Sequence, residues 1–257
     1  MFKKIIASSA ILALILAASP VLARHFDDDE ERLPRHAREI RKDVYDLGVA
    51  VDPLSGKQVR GRAFVHRSRS TPVTASTALC YGYIAPDTKW RSLENFLLNP
   101  SNNRSGLSSG TVLSVFNNAL GKWETAANQD IVGTATLTSS GLKADYGYPD
   151  GKNEAYFARI SRGSIAVTVI WYTYTGSIVE TDQVYNNRYA WSAEAAGVAG
   201  KMDLDNIVTH EDGHVFGLDD QYDNTCAAVT MYGYADYGQD NKRSLEAQDI
   251  AGIDLLY

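Results

Sequence analysis

The sequence predicts an α+β domain, and three observations carry that prediction. Ile131 to Thr138, Glu154 to Ile160, Ile165 to Tyr174 and Ile178 to Tyr185 are rich in β-branched and aromatic residues. Gly, Asn or Asp separates these runs, as expected of strands joined by turns. From Leu107 to about Ala127, Val112, Val115, Phe116, Ala119, Leu120 and Trp123 recur at three-to-four spacing, which reads as an amphipathic helix. Two more helices are expected, over Asp203 to Phe216 and Ser244 to Leu256, with a long irregular loop between them through Met231.

Taken in order, the chain opens on Lys3 and Lys4, an apolar stretch from Ile5 to Ala18, the breaker Pro20, and Val21-Leu22-Ala23. This is the pattern of a cleaved export signal over residues 1–23 and predicts a secreted protein. The apolar stretch is too short for a permanent span, so no stable membrane anchor is expected. The acidic run Asp27 to Glu31 follows, then a mixed-charge stretch from Arg35 to Asp46 expected to form a short helix. Asp52 to Lys57 reads as a turn, and the Ser/Thr/Pro-rich stretch from Ser68 to Thr77 as a linker. Residues 24–79 are therefore expected to be a propeptide or N-terminal extension; a small accessory domain that stays attached is the alternative. Residues 80–257 form the main domain. There, Trp90 to Leu98 is strand-like and stops at Asn99-Pro100, and Ser108 or Ser109 is placed to cap the first helix. In the last helix Ile250, Ile253 and Leu256 are expected to face inward.

A hydrophobic share of 44% is ordinary for a globular protein, and a net charge of −6 favours a soluble monomer. No basic patch interleaved with aromatics points to nucleic acid. The only cysteines are Cys80 and Cys226, an even count that suggests a disulfide in an exported protein. The competing reading is that Cys80 coordinates a metal in a latent precursor.

The chemistry concentrates in His210-Glu211-Asp212-Gly213-His214-Val215-Phe216-Gly217-Leu218-Asp219-Asp220. Histidines four apart share one helix face, so His210 and His214 can grip one metal ion from a rigid element. Glu211 stands beside the first, placed to take a proton from a metal-activated water. Gly217 can end the helix in a left-handed turn, after which Asp220 can supply a third ligand, with Asp219 as its rival. Structural zinc sites are usually four-ligand and cysteine-rich, which this run is not.

His210 to Asp220, followed downstream by Met231, resembles the metzincin metallopeptidases, and most of all the matrixin branch and its secreted prokaryotic relatives. The resemblance extends over Lys89 to Tyr257, through the helix bearing Trp123, the Ile165 to Thr173 and Val179 to Trp191 segments, and the closing Leu245 to Tyr257. It implies a mixed twisted sheet with an active-site helix, and a C-terminal helix below the cleft. It implies a zinc endopeptidase acting on peptide or protein substrates, with His210 and His214 as ligands and Glu211 as general base. Met231 then matches the methionine of the turn beneath the metal. Tyr232-Gly233-Tyr234 would wall the pocket for the residue after the scissile bond. The strand around Ala166 to Thr173 would pair with extended substrate. Asp220 stands where a third histidine is commonest, which still leaves an accepted catalytic zinc set. Asp182 falls where matrixins bind Ca2+, although Asn186 and Asn187 replace acidic neighbours. No matrixin-type cysteine motif surrounds Cys80. A non-catalytic exported binding or cell-surface module of the same fold, and a zinc hydrolase with a non-peptide substrate, are the alternatives.

Overall fold

A computed structural model describes residues 30–68 and 79–257. The expected signal and most of the expected linker lie outside these residues. The strands are β1 (Glu30–Glu31), β2 (Arg38–Arg41), β3 (Val44–Val51), β4 (Gln58–Ser68) and β5 (Phe96–Asn99), then β6 (Ala135–Leu137), β7 (Asn153–Ile160), β8 (Ser164–Thr173) and β9 (Ile178–Asn186), and last β10 (Trp191–Ser192), β11 (Met202–Asp203) and β12 (Tyr234–Ala235). The helices are α1 (Ser109–Ala127), α2 (Leu204–Val215) and α3 (Ala247–Leu256).

The main sheet runs β2-β3-β4-β8-β9-β7-β5-β6. The β9-β7-β5-β6 half is parallel, and β8 is antiparallel to both neighbours, giving the mixed sheet that was expected. No helix among the described residues is long and apolar enough to cross a membrane.

The N-terminal segment departs from expectation. Arg35 to Asp46 forms no helix; it makes the β2–β3 hairpin, turning at Asp43 with φ 56°. The stretch lacks an apolar stripe of helical period, and pairing of β3 with β4 decides its conformation instead. β4 then pairs with β8 from Val59 opposite Thr173 to Arg67 opposite Ser164. The strand expected to stand open for substrate is thus paired on both sides.

Alternation along β4 sets what lies beneath it. Ala63 and Val65 join Leu47, Val167, Val169 and Trp171 in the core on one face of the sheet. Phe64 joins the larger core on the other face, where α1, α2 and α3 lie with Phe116, Trp123 and Ile253. His66 shares the parity of Phe64 and so points toward α2.

The helices sit close to where their sequences put them. Ser108 caps α1 by accepting from Thr111 N–H, and Asp203 caps α2 through Asn206 N–H. α3 starts at Ala247 behind a capping box of Glu246 and Asp249. Ile253 and Leu256 face inward as expected, but Ile250 is 42% exposed. Asp249 takes the inward position beside it, for a reason that belongs to the site. The expected Trp90 to Leu98 strand begins only at Phe96, while Trp90 is buried and its indole N–H donates to Val215 O at 2.9 Å. The Ile131 to Thr138 run shortens to Ala135–Leu137.

Candidate metal centre

α2 carries His210, Glu211 and His214 into a site where all three are buried. Gly217, at φ 100°, turns the chain as its lack of a Cβ permits. The strand of chain beyond it brings Asp220 back beneath the two histidines. His210 Nε2 lies 3.2 Å and His214 Nε2 3.6 Å from Asp220 Oδ1. Ligand atoms of the three residues fall within 4.8 Å of one another, a spacing that can hold a metal ion. Asp219 is not part of this group; its carboxylate pairs with Arg41 of β2.

The imidazoles are oriented from behind. His210 Nδ1 lies 2.7 Å from Thr230 O, and His214 Nδ1 lies 3.0 Å from Leu218 O. A carbonyl only accepts, so each Nδ1 carries the proton and each Nε2 presents a lone pair to the centre. His210 Nε2 and Asp220 Oδ1 are buried without a hydrogen-bond partner, a costly arrangement that a cation between them would relieve. Burial holds His210 at about 3 and lowers His214, so both are neutral bases. Burial alone would raise Asp220, but His214, His210 and Lys242 outweigh it and hold the carboxyl at about 2. Two neutral imidazoles and a carboxylate are donors that suit zinc.

The expected supporting residues also converge. Met231 lies under α2, where a Cβ on Gly213 would come within 2.1 Å of its sulfur; glycine in mid-helix lets the two meet. The Asp249 carboxylate accepts from Thr230 N–H at 2.8 Å and Met231 N–H at 3.2 Å, and this bond draws Asp249 inward on α3. Tyr232 donates its hydroxyl to Asn224 at 3.1 Å and packs edge-on against Tyr234. Cys80 and Cys226 form a disulfide, so Cys80 is not a metal ligand here.

Glu211 is fixed by two groups from the sheet. Thr168 of β8 donates its hydroxyl to Oε2 at 2.5 Å, and His66 Nδ1 of β4 lies 3.2 Å from Oε1. Burial is the main cause that pushes Glu211 up to about 8. The His66 ring stands 4.0 Å from the His210 ring, and Phe64 stacks on His214 at 4.5 Å. β4 also pairs with β12 through Arg67 and Ser68, in parallel. It therefore lies between β8 and the Tyr232–Tyr234 wall, directly over the centre.

Sequence reading missed His66, Thr168, Tyr222 and Lys242. Tyr222 donates its hydroxyl to Asp220 Oδ2 at 3.1 Å, orienting the carboxylate whose other oxygen faces the histidines. Lys242 is buried with its ammonium on Tyr232 O. Only the nearness of Tyr222 to the motif was a signal; the others arrive from distant segments.

Asp182 meets Asp145 and Glu180 rather than the asparagines after it, and ligand atoms of these three acids also lie within 4.8 Å of one another. Asn186 instead turns its amide to Ser164 O at 2.7 Å. Burial pushes Glu180 up to about 8 and Asp145 to about 6, and raises Asp182 strongly.

Among solved structures, the chain is similar to metalloproteinase-II from Bacteroides fragilis at 9% identity and a TM-score of 0.36, over 84% of this chain and 77% of that one. No curated protein matches its sequence. The matrixin family model matches residues 89–257, about two thirds of the chain, and on that match the protein belongs to the matrixin family.

Proposed function

We propose that this matrixin is an exported zinc-dependent endopeptidase, with Zn2+ held by His210, His214 and Asp220 and with Glu211 as general base. The observation that carries the reading is the convergence of two lone-pair Nε2 atoms and one carboxylate oxygen, all buried, beside a glutamate. What Zn2+ supplies there when bound is Lewis acidity toward a carbonyl and a water. Glu211 takes the proton of the attacking water on its carboxylate and passes it to the leaving amine. Thr168 keeps that carboxylate turned toward the cleft. An extended peptide takes the place of β4, with its backbone paired to β8, so that one cleft admits varied sequences.

Residues 30–68 then act as a plug held in the cleft of the secreted precursor. His66 occupies Glu211, Arg41 holds Asp219, and β4 fills the substrate strand. Activation requires a cut in the stretch after Ser68, where Arg69 offers trypsin a site. Ca2+ at Asp145, Glu180 and Asp182 is a second, separate metal of this reading.

The test is cleavage of casein by the full chain after limited trypsin treatment, in zinc, with wild type beside Glu211→Ala. The wild type is expected to cleave and to stop on chelation. The variant should lose about 10²- to 10⁴-fold in rate while keeping its circular dichroism spectrum. A binding module of the same fold would be indifferent to the change, and equal cleavage by both proteins would sink the proposed role of Glu211.

A further inference from the structure

The plug also reports what a substrate side chain meets in the cleft. His66 is the β4 side chain that enters beside Glu211, and its far nitrogen meets a buried lysine. Lys242 lies in a short 3-10 turn, Asn241–Arg243, tied to α2 by its own N–H donating to Asn206 Oδ1 at 2.6 Å. Its ammonium donates to Tyr232 O and stands 3.5 Å from His66 Nε2. His210 Nδ1 is 3.4 Å away but already donates its proton to Thr230 O, so it accepts nothing from the lysine. Burial lowers the Lys242 amine to about 7 against the opposing charges of Asp220, Glu211 and Asp249, none of which lies within ion-pair distance of it among the described residues. The neutral His66 ring therefore bridges Lys242 and Glu211, with Nε2 toward the lysine and Nδ1 toward the glutamate. Lys242 also borders a small cavity of about 90 Å³ with Tyr232, Tyr234, Gln239 and Asn241.

Once β4 leaves, the ammonium keeps one carbonyl acceptor and faces the space His66 vacated. An aliphatic side chain entering there would desolvate the cation and return nothing. A carboxylate would give it a charge-assisted hydrogen bond. Glutamate has the reach, because its carboxylate oxygens lie as many bonds from Cα as Nε2 of histidine does.

We propose that the cleft selects peptides with an acidic residue, glutamate foremost, at the position His66 occupies, one of the two flanking the cut bond. Lys242 is the specificity-determining residue. The inference rests on the endopeptidase reading above. Sites built around a buried polar group reject side chains that leave it unpaired by large factors. A preference of at least about tenfold in kcat/KM for glutamate over leucine is expected.

The experiment uses the full chain, nicked with trypsin and quenched, on a mixture of synthetic peptides, with cut positions read by mass spectrometry. Acidic residues enriched at one flank of the cut, with the preference lost in Lys242→Met and kept in Lys242→Arg, is the expected result. Aliphatic residues enriched there in the wild type, or an acidic preference untouched by Lys242→Met, overturns the inference while the endopeptidase reading stands. No cut in any peptide overturns both. Should Lys242→Met fail to fold, a matched pair of peptides with Glu or Gln at that flank decides on the wild type alone: equal kcat/KM removes Lys242 from specificity.

Discussion

Asp219 and Asp220 are neighbours in sequence and opposites in what they face. One pairs with Arg41 of the plug and the other turns to two imidazoles, and Tyr222 holds the second in place. Removing that hydroxyl leaves the ligands intact but frees Asp220 to rotate. Tyr222→Phe is therefore expected to weaken zinc about tenfold, as loss of an outer hydrogen bond to a ligand commonly does. Competition against a chromophoric chelator measures it, and an unchanged zinc affinity would remove Tyr222 from the centre. At this scale the candidate ligands were legible because they sit within one helix and the turn after it, where spacing alone fixes geometry. His66 and Lys242 were not. The first reaches Glu211 across 145 residues and the second His210 across 32, and no local pattern encodes such meetings.

Among the elements, α2 was the most legible, because a polar cap, the i, i+4 histidines and a terminal glycine all act within the helix itself. The β2–β3 hairpin was not, since its charges suit either state and the partner β4 chooses. Ile250 was placed inward by period, but Asp249 competes for that face and wins through its bonds to the backbone of Thr230 and Met231. β4 carried no expectation of its own: Val59, Ala63, Phe64 and Val65 find their places only with β8 opposite them. Phe64 is fully buried against His214, so Phe64→Ala should cost the docked plug about 3 kcal/mol. The expected outcome is measurable peptide cleavage by the full chain before any trypsin is added. A variant as silent as wild type at matched folding would mean that β4 does not guard the cleft.

For the molecule as a whole, stability should respond to pH through Asp145, Glu180 and Asp182. Their carboxyls are raised in the folded state, so folding favours the protonated forms. That contribution is complete below the ordinary carboxylate range and is lost as pH rises through about 6 for Asp145 and about 8 for Glu180. Without added divalent cations the melting temperature should fall from about pH 4 to about pH 8, and Ca2+ should flatten the slope; a flat profile without Ca2+ would dismiss the cluster as a source of strain. The resemblance pointed to Asp182, and Glu180 stands two residues before it on β9, but nothing in the sequence joined Asp145 to them from its distant stretch. The disulfide bears on the whole molecule in another way. Cys80 and Cys226 both lie on the C-terminal side of residues 69–78, so a nick there leaves the plug with no covalent tether. Retention of the plug then stops being a property of one chain and becomes an encounter between two, governed by how much of each is present. Under the export and plug roles proposed above, a nicked molecule released into a large volume would shed residues 30–68 by dilution alone, and its activity per molecule should rise as the preparation is thinned.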